Sequence, residues 1–249
     1  MARANGIIKI EGTVEDLTFY KKDGKSFVRR KGGVSKERIE SDPNYVRTRE
    51  NNSEFGHSGN SSRVLRLALG SMAFKAKDSK LHSRLLQVMA RIKNLDATSS
   101  RGQRQVSIGI GTPEGKLLLK GFDFNFHAPL QSVLHAPFEL NPTNGRVTLT
   151  DLVPAEQVQF PEGATHVSLQ SAVVQLDFAT EVSELVYSGV ENLPLTLTPT
   201  TLVLAPSSMP AGRGTTLFVL MLAFFQEVNG VQYSLKNESY NVLNVIEVL

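Results

Sequence analysis

Cysteine and tryptophan are both missing from these 249 residues. Without cysteine there is no disulfide, no thiolate zinc site and no cysteine nucleophile, and the redox compartment stays open. Without tryptophan the chain lacks the largest aromatic anchor of protein interfaces. Long apolar runs are absent as well. The longest, "LFVLMLAFF" at 217–225, has nine residues, far short of the roughly 20 a membrane helix needs. The opening "MARANGIIKIEG" holds only a short apolar stretch broken by Lys9 and Glu11, too little for a signal-peptide core. The expectation is a protein made in the cytoplasm without a membrane span, with release from the cell as part of an assembly left open.

What is present is an ordinary core composition, 41% apolar, enough for one large domain or two small ones. The net charge of +3 conceals a division. Residues 1–150 carry 25 Lys+Arg against 14 Asp+Glu, a net +11, and residues 151–249 carry 2 against 10, a net −8. Such asymmetry points to a polyanion at the basic end or to a complementary partner, which a second copy of the chain would supply.

The first 30 residues read as short strands, with Asp23-Gly24 as the turn between "LTFY" and "SFVRR". A hairpin this small needs something to pack on. The stretch "RRKGGVSKERIESDPNYVRTRENN", residues 29–52, is dense in charge and nearly free of apolar residues, and reads as an extended strap. Asp42-Pro43 is a helix-start signal. "GHSGNSS" is expected to interrupt the helical segment that follows, with Ser61 or Ser62 capping "RVLRLALGSMAFKA". Val64, Leu65, Ala68, Leu69 and Met72, then Leu81, Leu85, Val88, Met89, Ile92 and Leu95, recur at helical spacing, an αα-hairpin joined by "KAKDS".

Beyond about residue 130 the pattern is β, with hairpins around Asn144-Gly145 and Asn229-Gly230 and strands in "THVSLQSAVVQLDF", "LTLTPTTLVLAP" and "YNVLNVIEVL". The expected fold is α+β: an N-terminal β-hairpin and an αα-hairpin over residues 1–125, then an antiparallel immunoglobulin-like β-sandwich over 126–249. The run 217–225 is apolar on both alternating faces, which places it mid-sandwich or under a partner. The final β pattern is expected to be able to add to a neighbouring sheet edge.

Local chemistry is sparse. "GHSGN" misses the serine-hydrolase elbow G-x-S-x-G because Asn60 stands at the last position, and it follows a polar helical segment instead of a strand. "GIGTPEGKLLLKG" fails the dinucleotide fingerprint at Glu114 and Walker A at Leu117, so Thr-Pro-Glu-Gly reads as a turn. His57, His82, His127, His135 and His166 are scattered and make no H-x-x-x-H pair. The chain is therefore read as non-enzymatic, with no cofactor and no small-molecule substrate.

The N-terminal words "GTVEDLTFYKKDGK", "RRKGGVSKERI", "DP" and "RTRENNSEFG", in that order, resemble an uncharacterised family of Bacteroidetes proteins with a basic N-terminal region and a β-rich C-terminal domain. The resemblance covers roughly residues 5–125. It implies a non-enzymatic protein, a component of a large extracellular or phage-like assembly, and transfers no functional residues.

The function expected is a self-assembling subunit of a tube, filament or sheath. Arg29, Arg30, Lys31, Arg38, Arg47 and Arg49, with Tyr45 and Phe55 beside them, would meet Glu181, Glu184 and Glu191 of the next copy head to tail. Two alternatives stand beside it. In one, the same strap binds nucleic-acid phosphates, against which the interleaved Glu37, Glu40, Asp42 and Glu50 weigh. In the other, the β half is a monomeric adhesion or binding module.

Overall fold

The computed structural model describes residues 2–3, 10–30, 32–235 and 240–249. The chain divides into two compact units, 1–49 and 50–249. The division falls at 49/50 and not near residue 125, because the helices after residue 50 share one core with the β sheet that follows them.

The first unit holds β1 (Ala2–Arg3), β2 (Gly12–Val14), β3 (Leu17–Lys22) and β4 (Lys25–Arg30), an antiparallel sheet in the order β1-β4-β3-β2. Asp23 and Gly24, with φ of 51° and 73°, form the two-residue turn between β3 and β4. Positive φ at both positions is the geometry whose twist matches the flanking strands. The segment expected as an extended strap folds instead into α1 (Lys36–Ser41) and a 3₁₀ turn (Pro43–Tyr45). Ser35 caps α1 by accepting from the Arg38 amide at 3.3 Å, and Asp42 caps the 3₁₀ turn by accepting from the Asn44 amide at 3.0 Å.

From Val46 the chain enters α2 (Val46–Ala68), 23 unbroken residues. The interruption expected at "GHSGNSS" does not occur, and neither Ser61 nor Ser62 is a cap. Ser58 and Ser61 sit inside the helix and donate back to the Glu54 and His57 carbonyls at 2.9 and 3.1 Å. These bonds satisfy hydroxyls that would otherwise be buried unpaired. The break comes later, at Gly70, whose φ of 53° separates α2 from α3 (Gly70–Lys75). Then follow α4 (Leu81–Lys93), α5 (Val106–Gly109), α6 (Pro113–Leu119) and α7 (Leu130–Val133). The expected turn at Thr-Pro-Glu-Gly is the start of α6, with Thr112 accepting from the Gly115 amide at 3.0 Å. The glycines there serve packing: a Cβ on Gly109 would lie 2.0 Å from the Ile92 carbonyl oxygen, and one on Gly115 2.0 Å from that of Gly109.

Antiparallel sheets make up the rest: β5 (Glu139–Asn141), β6 (Arg146–Leu152), the short α8 (Pro154–Gln157), β7 (His166–Leu176), β8 (Ser183–Tyr187), β9 (Glu191–Pro194), β10 (Thr200–Leu204), β11 (Thr215–Val228), β12 (Val231–Ser234) and β13 (Val242–Val248). Of the expected strand "LTLTPTTLVLAP", residues 195–206, only Thr200–Leu204 forms a strand, β10. Asn229 and Gly230, both at positive φ, turn β11 into β12. One sheet runs β10-β6-β5. The larger runs β12-β11-β7-β8, with β13 also on β11 and β9 also on β7.

The central strands of the larger sheet, β7, β11 and β13, are packed on both faces. Leu217, Val219 and Met221 of β11, with Ala172, Val174 and Leu176 of β7, pack against Leu65, Leu69, Leu85, Met89 and Ile92 of the helices. Leu220, Leu222 and Phe224 point the other way, into a second core with Val147, Leu149, Leu202 and Leu204 of the smaller sheet. Alternation of side chains along a strand sends neighbours to opposite faces, so a strand covered on both sides must be apolar throughout. That accounts for "LFVLMLAFF" within one chain. The overall class is thus mixed α+β with antiparallel sheets. Among the described residues no helix is long and apolar enough to cross a membrane.

The last strand was expected to offer an edge to a neighbour. Its outer side is instead covered: the Gly121 amide donates to the Val245 carbonyl at 2.7 Å, Phe124 to Leu243 at 2.9 Å, and the Val245 amide to Phe122 at 3.1 Å. Leu217→Ala and Leu220→Ala, on opposite faces of β11, should each destabilise the protein by about 2–5 kcal/mol in urea unfolding. A strand with one wet face would show that cost on one side only.

Candidate functional site

The residues expected to carry the interface are divided between the two units. Arg29, Arg30, Arg38, Tyr45, Arg47 and Arg49 belong to 1–49, and Phe55, Glu181, Glu184 and Glu191 to 50–249. Lys31 lies outside the described residues.

Several of the basic groups already have partners of their own. Arg38 Nε is 3.3 Å from Asp42 Oδ2, one turn along, and Lys36 pairs with Glu40 at 3.6 Å in the same i,i+4 sense. Asp42 ionises more readily than an ordinary aspartate, chiefly because the Asn44 amide donates to it, then because of Arg38. The Arg49 guanidinium donates to the Ile39 and Asp42 carbonyls at 2.7 and 3.1 Å, satisfying acceptors at the C-terminal end of α1. Arg30 lies 3.7 Å from Asp16, while Arg29 stands over the Tyr20 ring at 5.5 Å. Tyr45 is half-buried in the 3₁₀ turn, and Phe55 is exposed on α2. Arg47 is exposed, with no hydrogen bond or ion pair among the described residues. Of the acids interleaved with these cations, Glu40 and Asp42 serve local pairing, while Glu50 lies 3.0 Å from Arg101.

The acidic set is partly engaged as well. Glu181, at φ 61°, accepts from Asn60 Nδ2 at 2.6 Å and from an Arg63 guanidinium nitrogen at 3.2 Å. It ties the 177–182 turn to α2 within one chain. Glu184 accepts from the Ala211 amide at 2.9 Å. Glu191 is exposed at the start of β9.

The most concentrated polar chemistry lies elsewhere, around Glu54. This carboxylate is 3% exposed and pairs with Lys93, 7% exposed on α4. It also accepts from Arg104 Nε and a second guanidinium nitrogen at 2.8 and 2.7 Å, and from the Gly102 amide at 2.8 Å. Arg104, then Lys93 and Gly102, outweigh burial and hold Glu54 at a pKa of about 2. Beside it Asp96 accepts from the Thr98, Ser99 and Gln105 amides and the Thr98 hydroxyl at 2.8–3.0 Å. Burial opposes its ionisation, but those donors prevail and keep it below the ordinary aspartate range. His57 Nε2 accepts the Val106 amide at 3.1 Å, so that nitrogen carries no proton, and burial lowers the pKa of the ring against the pull of Glu181.

These groups clamp α2, α4 and the 96–106 loop together. A shallow hollow bounded by Ser53, His57 and Gly102–Gln105 opens above them, but the charged groups are mutually satisfied. The network is a structural clamp, and no nucleophile is poised in it. Ser58, the serine of the elbow-like "GHSGN", is likewise buried and bonded to its own helix.

Sequence reasoning passed over Glu54 although a signal existed. Positions 54, 58, 61, 65 and 68 repeat at intervals of four and three, all buried on one side of α2, and so extend the apolar stripe backwards in polar residues. Lys93 and Arg104 have no local signature, being brought in from 39 and 50 residues away.

No family model, no curated protein and no solved structure matches this chain.

Glu54→Ala would leave the buried Lys93 and the half-buried Arg104 without their counter-charge, at a cost of about 3–5 kcal/mol in denaturant unfolding. The depressed carboxylate also sets a pH window. Its stabilisation is complete above the ordinary value of 4.5 and is lost as pH falls through about 2. Acid titration followed by circular dichroism should show the wild type losing stability across that interval and the variant showing a flatter profile.

Proposed function

We propose that this chain is a structural subunit that assembles with copies of itself. The observation carrying this reading is the state of the N-terminal unit: none of residues 10–30 and 32–49 is buried. Its sheet has an apolar face, since Val14, Leu17, Phe19 and Val28 fall on one side by register. Val14 and Leu17 on that face are 54% and 44% exposed. A small sheet without an interior gains its stability by packing on something larger, and a neighbouring copy offers such a surface.

Charge supports the same reading. Residues 1–49 carry 12 Lys+Arg against 7 Asp+Glu, a net +5, while residues 151–249 carry a net −8. Contact between unlike surfaces is heterologous, and heterologous contacts propagate into rings, tubes or filaments. The two antiparallel sheets that share the second core enter the proposal as a sandwich of immunoglobulin-like kind, with helices on its outer face, serving as the rigid body that the N-terminal unit joins. An assembly of this sort, made in the cytoplasm, is suited to release as a finished particle.

Arg47 is the residue to test, because Arg38 and Arg49 have duties inside their own unit. Light scattering and negative-stain electron microscopy of nuclease-treated protein should show polymers that shrink as salt rises. Arg47→Glu should reduce their mass while leaving the unfolding free energy within about 0.5 kcal/mol of wild type. A monodisperse monomer at high concentration and moderate salt contradicts the proposal.

A further inference from the structure

We infer that one face of the N-terminal sheet binds single-stranded nucleic acid. The register divides the side chains of β2, β3 and β4 into two sets, because directly paired residues share a face and neighbours along a strand do not. One set is the apolar face already described, with Lys21 and Arg30 at its margins. The other carries Thr13, Thr18, Tyr20, Lys22, Lys25, Phe27 and Arg29, from the pairs Thr13↔Thr18, Thr18↔Arg29, Tyr20↔Phe27 and Lys22↔Lys25.

The two faces differ in how their cations are used. On the apolar face Lys21 pairs with Glu11 at 2.5 Å and Arg30 with Asp16 at 3.7 Å. On the opposite face Lys22, Lys25 and Arg29 have no ion pair among the described residues. Glu11 and Asp16, which flank β2, are thus engaged on the apolar side, and the strand positions of the other face carry cations and no acid. On that cationic side Tyr20 and Phe27 stack, with ring centroids 5.7 Å apart and planes inclined by 23°. The Arg29 guanidinium stands 5.5 Å from the Tyr20 centroid.

Flat aromatic side chains on a sheet, ringed by lysine and arginine, suit a strand whose bases are unstacked. Bases lie on the rings while the ammonium and guanidinium groups follow the phosphates. A duplex keeps its bases stacked on one another and offers only the phosphates. An acidic protein would meet the three cations but would not need a stacked aromatic pair. This face differs from the 29–52 segment considered from sequence alone, where the nearby aromatics are Tyr45 and Phe55. The inference is independent of self-assembly.

Fluorescence anisotropy of the full, nuclease-treated chain with a labelled oligo-dT or oligo-U strand tests it. Binding is expected at low salt, with log K falling against log salt at a slope of about −2 for three phosphate contacts. Tyr20→Ala or Phe27→Ala should weaken binding roughly 5- to 100-fold. The double substitution Lys22→Glu, Lys25→Glu changes exposed side chains only, and so keeps the test valid should either aromatic variant fail to fold. It should weaken binding and flatten the salt slope. No binding at about 50 mM salt would overturn the inference. So would equal affinity for a duplex of the same length, or binding that the lysine reversals leave unchanged.

Discussion

The structure depends on the middle of one sheet being dry on both sides. β11 is fourteen residues long and supports everything near it. β7 lies along one edge, β13 and then β12 along the other, with helices against one face and a smaller sheet against the opposite face. A sheet in that position needs a supply of apolar surface from two directions, and the chain provides it in order, helices first and strands afterwards. The helical layer must itself be held in place. The Glu54 cluster does this by bonding α2 to α4 and to the 96–106 loop, with every charge answered. Arg84 plays a similar part further along. It donates to the Asp123 and Phe124 carbonyls at 2.7 and 3.0 Å, which fixes the segment that closes the outer edge of β13.

Against that core, the first 49 residues behave as a different kind of object. They show regular pairing, cap bonds and short-range ion pairs, but none of residues 10–30 and 32–49 is buried. Local interactions of this kind are each weak: exposed ion pairs contribute about 0–1 kcal/mol, and an i,i+4 pair a few tenths. A unit built from them has shape without much stability of its own. The same two-sided geometry that makes β11 apolar throughout makes the N-terminal sheet two-faced, one side greasy and one side cationic. The two faces suit two different partners.

Much of this was legible in the chain itself. The stripes Val64–Met72 and Leu81–Ile92 mark helices because their spacing is set by backbone geometry, and Asn229-Gly230 marks a turn because few residues accept positive φ. What escaped depended on distant contacts. "GHSGNSS" has the composition of a break, yet tertiary burial holds it helical: Gly59 lies close to Leu86, where a Cβ would stand 3.4 Å from Leu86 Cδ1, and the serines bond backwards. Glu54 looked like one more acid in a charged segment until Lys93 and Arg104 arrived from later in the chain. The double apolarity of 217–225 was visible, but whether a partner or the chain itself covered it was not. The answer lay in helices that a sequence reading assigned to another domain. Glu181, expected to meet a neighbour, is engaged by Asn60 and Arg63 of its own chain, contacts that no local pattern announces.

The central claim is that the N-terminal unit gains its lasting stability from a neighbouring copy. Hydrogen exchange at the amides of residues 12–30, compared between dilute and concentrated protein at the same pH and salt, tests it most directly. The account predicts rapid exchange when dilute and marked protection when concentrated, with the amides of β11 protected throughout. Equal protection of 12–30 at both concentrations, in a protein that remains monomeric, would contradict it.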